Sequence, residues 1–172
     1  MPNPVNEFTE KDSYIIGLRW YEYGDSDIAM KYWKPLAEDG DCDAEYGLGL
    51  LYFRGAGVRK SYNEARNWWD KSANYGQTQS QIALGVMLSH ESISYSPHNC
   101  SRGCGVGKDL VTAYKWFGFA SKMGSSAEQK QAYKFLEKIR VKMTPKQIIT
   151  ADNLIKEWEP APSLCKPRRD LG

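Results

Sequence analysis

The sequence predicts an all-α, right-handed solenoid of about four antiparallel helix-turn-helix repeats, and two sets of recurrences carry that expectation. Ala29, Trp33, Ala37 and Gly40 return thirty-six residues later as Ala65, Trp69, Ala73 and Gly76, and Leu48-Gly49 returns at the same interval as Leu84-Gly85. Gly55, Val58, Ala65, Trp68 and Gly76 return forty-eight residues on as Gly103, Val106, Ala113, Trp116 and Gly124. A period of this length marks stacked helical hairpins, none of which buries its apolar face alone.

Composition bounds the rest. A chain of 172 residues makes one domain or one short array. The apolar fraction of 41%, with 6 Trp and 11 Tyr, allows an aromatic-rich core. A formal net charge of +2 exerts no strong pull toward nucleic acid or anionic lipid. Apolar runs extend only a few residues, so no segment is read as crossing a membrane. Met1 to Asp12 lacks the basic start and apolar stretch of a secretory signal, and the expectation is a cytoplasmic protein, monomeric when free. The cysteines at 42, 100, 104 and 165 are irregularly spaced, and without an export signal they are expected as reduced thiols.

The elements follow in order. Residues 1–11 read as a flexible arm. A first helix is expected from about Ser13 to Tyr23, stopping at Gly24. Asp25 caps a second, which carries Ile28, Ala29, Tyr32, Trp33 and Leu36 at helical spacing and ends near Gly40, with Pro35 costing it one hydrogen bond. A third helix covers about Cys42 to Arg54, and Gly55-Ala56-Gly57-Val58 makes the turn. Ser61 and Glu64 form a capping box for a fourth, which runs to about Asn74 and closes at Gly76. A fifth spans about Thr78 to Leu88. An insertion, 89–104, separates it from a sixth that is capped by Asp109 and ends at Gly124. Ser126 is expected to cap a seventh through about Lys142. Thr144-Pro145-Lys146-Gln147 is a second capping box, with Pro at the first helical position, for an eighth that ends before Pro160. The repeats are thus placed at about 12–40, 41–76 and 77–124, with a terminal helical pair at 125–158 and a disordered tail at 159–172.

These residues resemble the Sel-one-like repeat family, a relative of the tetratricopeptide repeat. Ala44, Leu48, Gly49, Tyr52, Gly55, Gly57, Val58, Ala65, Trp68, Ser72, Ala73 and Gly76 fit its pattern, with Ser72 for the first Ala of a small pair. The third repeat fits with Ser80 in place of Ala44 and Leu88 in place of Tyr52; the first fits only in its second helix. Met143 to Gln147 is similar to the ending of such arrays in bacteria. The resemblance covers about residues 12–158. It implies adaptor, scaffold and inhibitor roles and supplies no catalytic residue set.

By analogy with tetratricopeptide stacks, first helices line a concave groove. With Leu48, Gly49 and Tyr52 facing the core, Asp43, Tyr46, Leu50, Phe53 and Arg54 face the groove. Their counterparts include Tyr14, Leu18 and Tyr21 in the first repeat and Ile82, Val86 and His90 in the third. This forms an aromatic and aliphatic stripe of the residue types that anchor interfaces. A binding role requires Tyr14, Tyr46 and Phe53 to be solvent-exposed; packing between adjacent first helices is the competing explanation.

The insertion holds His90, His98, Cys100 and Cys104, four residues of zinc-ligand type, but their spacing matches no standard zinc pattern. A plain variable loop is expected, with a Cys100–Cys104 disulfide and a metal site as alternatives. Acidic pairs such as Asp25/Asp27 and Glu38/Asp39 sit at helix ends, where capping and solvation explain them. Gly55-Ala56-Gly57 lacks the Lys-Ser/Thr of a phosphate loop. The expected protein is therefore a non-catalytic adaptor that uses no cofactor or metal and binds no nucleic acid or membrane. A narrower form is a bacterial immunity or inhibitor protein masking a toxin or effector. The alternatives are a hydrolase of the cysteine-rich Sel-one-like type acting on cell-wall precursors, and a zinc-binding regulatory protein.

Overall fold

The computed structural model describes residues 10–91 and 105–159, with side chains from residue 13 onward. Within them lie eight helices and no strand: α1 (Glu10–Tyr23), α2 (Ser26–Glu38), α3 (Cys42–Arg54), α4 (Tyr62–Asn74), α5 (Thr78–Ser89), α6 (Leu110–Met123), α7 (Ser126–Arg140) and α8 (Pro145–Glu157). Each helix packs against its chain neighbour as far as α7, whereas α8 returns to lie on α6. The result is an all-α right-handed solenoid, with α1, α3, α5 and α7 forming one layer and α2, α4, α6 and α8 the other. The expected arm, most of the insertion and the tail lie outside the described residues.

Short polar side chains start the helices. Asp25, Asp41, Ser61, Asp109, Ser125 and Thr144 each accept a hydrogen bond from a backbone N–H in the first turn of the helix they precede. Two expectations are corrected here. The box at Ser61 forms only in part. Ser61 Oγ accepts from Glu64 N at 3.2 Å, but the Ser61 N–H already donates to the Tyr52 carbonyl at 3.0 Å, so nothing is left for Glu64 to satisfy. The cap of α7 is Ser125, not Ser126, because only from 125 does Glu128 fall three residues on to complete a box. The box at Thr144 and Gln147 forms in full, with Pro145 at the first helical position.

Glycine ends two of the hairpins. Gly40 and Gly76 follow α2 and α4 at φ 87° and 93°, a left-handed conformation that side chains with a Cβ rarely adopt. Pro35 sits inside α2 on its exposed side, and the helix continues to Glu38.

The core is built from rings pressed onto glycines. Trp33 and Trp69 are fully buried, and each indole N–H donates to a backbone carbonyl of the preceding first helix: Trp33 to Tyr14 at 3.1 Å, Trp69 to Tyr46 at 3.2 Å. A Cβ on Gly17 or Gly47 would meet the Trp33 ring, and one on Gly49 would collide with Trp69. In the third repeat Phe117 takes the ring position against Gly85, and Ile155 of α8 takes it against Gly118. The buried ring is thus the residue after the Trp of the family pattern. Trp69 is fully buried, while Trp68 is half-buried with Lys71 Nζ 4.2 Å from its ring.

Candidate functional site

The expected groove face divides into two groups. Leu50, Phe53, Ile82 and Val86 are buried, at 7%, 4%, 5% and 0% exposure, and are core residues, not surface. The physical reason is the ring-on-glycine packing. Phe53 lies 5.3 Å from the Trp69 ring and 5.2 Å from Tyr62, so it fills the seam between α3 and α4. Because Phe53 is packed away, the stripe is not the continuous exposed surface that a binding role required.

Tyr14, Leu18, Tyr21, Asp43 and Tyr46 are half-buried, and Arg54 is exposed. Tyr14 stacks on Trp33 at 5.8 Å and Tyr21 tilts against the same ring at 5.5 Å, so both brace the core while presenting an edge. The Arg54 guanidinium lies 5.3 Å from the Tyr21 ring centre, joining α1 to the end of α3 through a cation–π contact. Burial pushes the Tyr21 hydroxyl up from the ordinary tyrosine range, with Arg54 pulling it the other way. Burial likewise raises Tyr46, which lies in the electrostatic field of Tyr21, Arg54 and Glu128 of α7. Groups of α1, α3 and α7 therefore act together on Tyr46. Asp43 accepts a hydrogen bond from Gln77 Nε2 at 3.4 Å. Tyr14, Asp43, Tyr46 and Phe53 all make further interactions, so none of them is a free side chain.

His90 has a structural position. It ends α5 with φ 56°, the left-handed conformation that Gly55 adopts at the end of α3, and its Nε2 lies 2.9 Å from the Val106 carbonyl. Next to it, the Asp109 N–H donates to the Leu88 carbonyl at 2.9 Å, as Ser61 does to Tyr52 one repeat earlier. The third repeat therefore keeps the family turn closed despite the extra residues. His98, Cys100 and Cys104 lie outside the described residues. Among the described residues, no three His, Cys, Asp or Glu side chains are grouped to hold a metal.

Three features were not singled out in the sequence. Glu45 is 3% exposed, its Oε2 has no hydrogen-bond partner, and burial pushes its carboxyl up to about 7, with Lys71 opposing and Asp41 reinforcing the shift. Its place one turn before Leu48 and Gly49 was the available signal. Glu91 is also buried. Lys138 at 2.5 Å and Lys142 both bind it, and these contacts draw its carboxyl below the usual range against the opposing effect of burial. The i, i+4 lysines at the end of α7 were its signal. Cys42 is disulfide-bonded, which corrects the expectation of a reduced thiol at that position; Cys100, Cys104 and Cys165 lie outside the described residues.

The family model of the Sel1 repeat matches residues 13–41, 42–76 and 78–125. The chain belongs to the Sel1 repeat family. Among solved structures, it resembles a protective antigen of uropathogenic Escherichia coli that displays an SLR fold, with TM-score 0.71 and 22% identity over 86% of this chain and 29% of that one. It also resembles a Sel1 repeat protein from Oxalobacter formigenes, with TM-score 0.62 and 24% identity over 90% and 61% of the two chains. These likenesses show the fold. Among curated proteins it is 33% identical over 67 residues to DAP3-binding cell death enhancer 1 of Rattus norvegicus, a stretch covering 39% of this chain. It is 30% identical over 95 residues, 54% of this chain, to chitin synthase regulator SKT5 of Saccharomyces cerevisiae. The matches span only 13% and 12% of those two relatives. Sel1 repeats typically mediate protein–protein interaction and are generally non-catalytic scaffolds. No helix among the described residues is long and apolar enough to cross a membrane.

Proposed function

We propose that this chain is a protein-interaction module whose partner contacts the face of α1 and α3 that carries Tyr14, Leu18, Tyr21, Asp43, Tyr46 and Arg54. The observation that carries the reading is the exposed Arg54 laid over the Tyr21 ring beside Tyr46. Arginine and tyrosine are the residue types that dominate interface energetics, and here they are held in place by the core below. The names of both curated relatives describe action on another protein, which agrees with this role. A narrower form has the chain as a bacterial inhibitor masking a toxin or effector, monomeric when free; its support is the short array and the family. The disulfide at Cys42 favours an oxidising compartment over the cytoplasm.

The test is affinity capture with the wild type beside Arg54→Glu and Tyr21→Ala/Arg54→Ala, with circular dichroism confirming that all are folded. The reading expects a stoichiometric protein partner whose retention falls at least tenfold in both variants. A partner held equally by all three moves the site off this face, and absence of any protein partner overturns the reading.

A further inference from the structure

We propose that the chain associates with a second copy of itself, head to tail: the α1–α2 corner of one copy, led by Tyr23, docks in the groove between α7 and α8 of the next. The groove exists because α7 and α8 pack on α6 rather than on each other. One face of α6 is left between them, and a cavity of about 250 Å³ opens there. Tyr114 and Gly118 of α6, Leu136 of α7 and Ile155 of α8 give it an apolar floor. Its mouth is basic. Lys122 and Lys156 stand there, exposed, and form no ion pair among the described residues. Arg140 of α7 reaches the same groove, its Nη1 donating to the Tyr114 hydroxyl at 2.9 Å, with Asp152 and Glu137 as the acids in its field. Two unpaired lysines over apolar surface fit an acidic partner that carries a large apolar side chain.

The other end of the array supplies that shape. α1 and α2 meet at Gly24 and Asp25, with Gly24 at φ 95°, and the sharp turn leaves Tyr23 standing out at 79% exposure. Trp20 braces the ring edge-on at 6.2 Å. Glu22, Asp25 and Asp27 surround it in the chain. Asp25 is spent on the cap of α2, whereas Glu22 and Asp27 are exposed and make no ion pair among the described residues. The corner is therefore an aromatic knob with unpaired acids beside it, facing a hole with unpaired bases beside it. Lysines flanking the docked ring add cation–π attraction.

Charge points the same way over the whole array. Acidic residues outnumber basic ones over residues 10–91, and basic residues outnumber acidic ones over residues 105–159. The two ends thus attract between copies. The corner belongs to the first hairpin and the groove to the last, so no copy fills its own groove. The contact is heterologous, and a pair keeps one corner and one groove free for further copies. One corner in one groove is a small, charge-assisted contact, so the association is weak and screened by salt. It does not rest on the partner-binding face of α1 and α3, and dilution restores the free monomer of the inhibitor reading.

The experiment is sedimentation velocity of the full chain over a range of concentrations, at low and at high salt. At low salt the mean mass is expected to rise with concentration past that of a dimer, and at high salt to return to the monomer. A monomer at every concentration overturns the proposal and leaves the groove to an acidic segment of another protein. Two variants, Tyr23→Ala and Lys122→Glu/Lys156→Glu, are each expected to stay monomeric at low salt, with circular dichroism confirming that both are folded. Mixed together, they are expected to form dimers and nothing larger, because one keeps its groove and the other its corner. Self-association of either variant as strong as that of the wild type, or a mixture that stays monomeric, overturns the head-to-tail contact.

Discussion

The second and third repeats solve the same packing problem with different side chains. In the second, Trp69 enters the slot over Gly49 and is fixed by a hydrogen bond to the Tyr46 carbonyl. In the third, Phe117 enters the slot over Gly85 without a polar anchor and instead stacks on Phe135 of α7 at 4.9 Å and 9°. A second difference sits thirty-six residues apart on the same helix face. Gln81 and Glu45 are both buried, and each keeps one side-chain oxygen without a hydrogen-bond partner, but Gln81 Nε2 donates to the Ala73 carbonyl at 3.1 Å, whereas its counterpart Glu45 is a titratable carboxyl. The third repeat is thus neutral and stacked, and the second is polar, titratable and directional. The repeat geometry demands a ring on a glycine and leaves the polar chemistry of each slot free to vary.

Removing the ring has the largest expected effect. Trp69→Ala should cost about 4 kcal/mol and lower the melting temperature by about 10 °C or more, as read by thermal circular dichroism. A loss under 1 kcal/mol would mean that the slot is not a keystone of the second repeat.

Filling the slot comes next. Gly49→Ala should destabilise by about 3 kcal/mol and Gly85→Ala by about 2 kcal/mol in chemical denaturation, because the hydrogen-bonded indole yields less than the stacked phenyl. Equal losses would show that the indole bond does not stiffen the slot.

Converting Glu45 to its third-repeat equivalent tests the polar difference. The folded-state value of about 7 lies above the ordinary 4.5. The folded chain therefore holds the proton more tightly, and this contribution to stability is full below pH 4.5 and lost as pH rises through 7. Glu45→Gln should abolish that fall and stabilise the protein at pH 8 by about 2–3 kcal/mol. It offers Ala37, the counterpart of Ala73, an amide N–H in place of a carboxylate. Parallel pH–stability curves for wild type and variant would assign the pH dependence elsewhere.

The smallest change is Trp69→Phe, which makes the second slot resemble the third. Loss of one hydrogen bond and part of a ring should cost about 1–2 kcal/mol. An unchanged denaturation midpoint would show that the two solutions are equivalent.

Much of the architecture was legible because glycine, capping residues and ring positions act locally. The bounds of α3 follow directly from Asp41 and Gly55, and Thr144-Pro145 announces α8. The candidate site was legible only in part, since its exposure depends on neighbours distant in sequence. Phe53 and Tyr46 have similar places in a helical pattern, yet the ring of Trp69, sixteen residues after Phe53, decides that Phe53 is covered. The same holds for Glu91, whose meaning depends on lysines about fifty residues away. A cysteine's oxidation state is set by where its chain partner lies, and irregular spacing conceals that.

The hydroxyl chain from Ser80 through Ser72 to the Cys42 carbonyl joins three successive helices, α5, α4 and α3, inside the core. No one of these helices can detach without stranding a buried hydroxyl or carbonyl on another. Repeat arrays often fray from one end, one unit at a time. Here amides on both sides of the seam should exchange with solvent deuterium at a common, slow rate, so that the array opens as one piece rather than as a row of tiles.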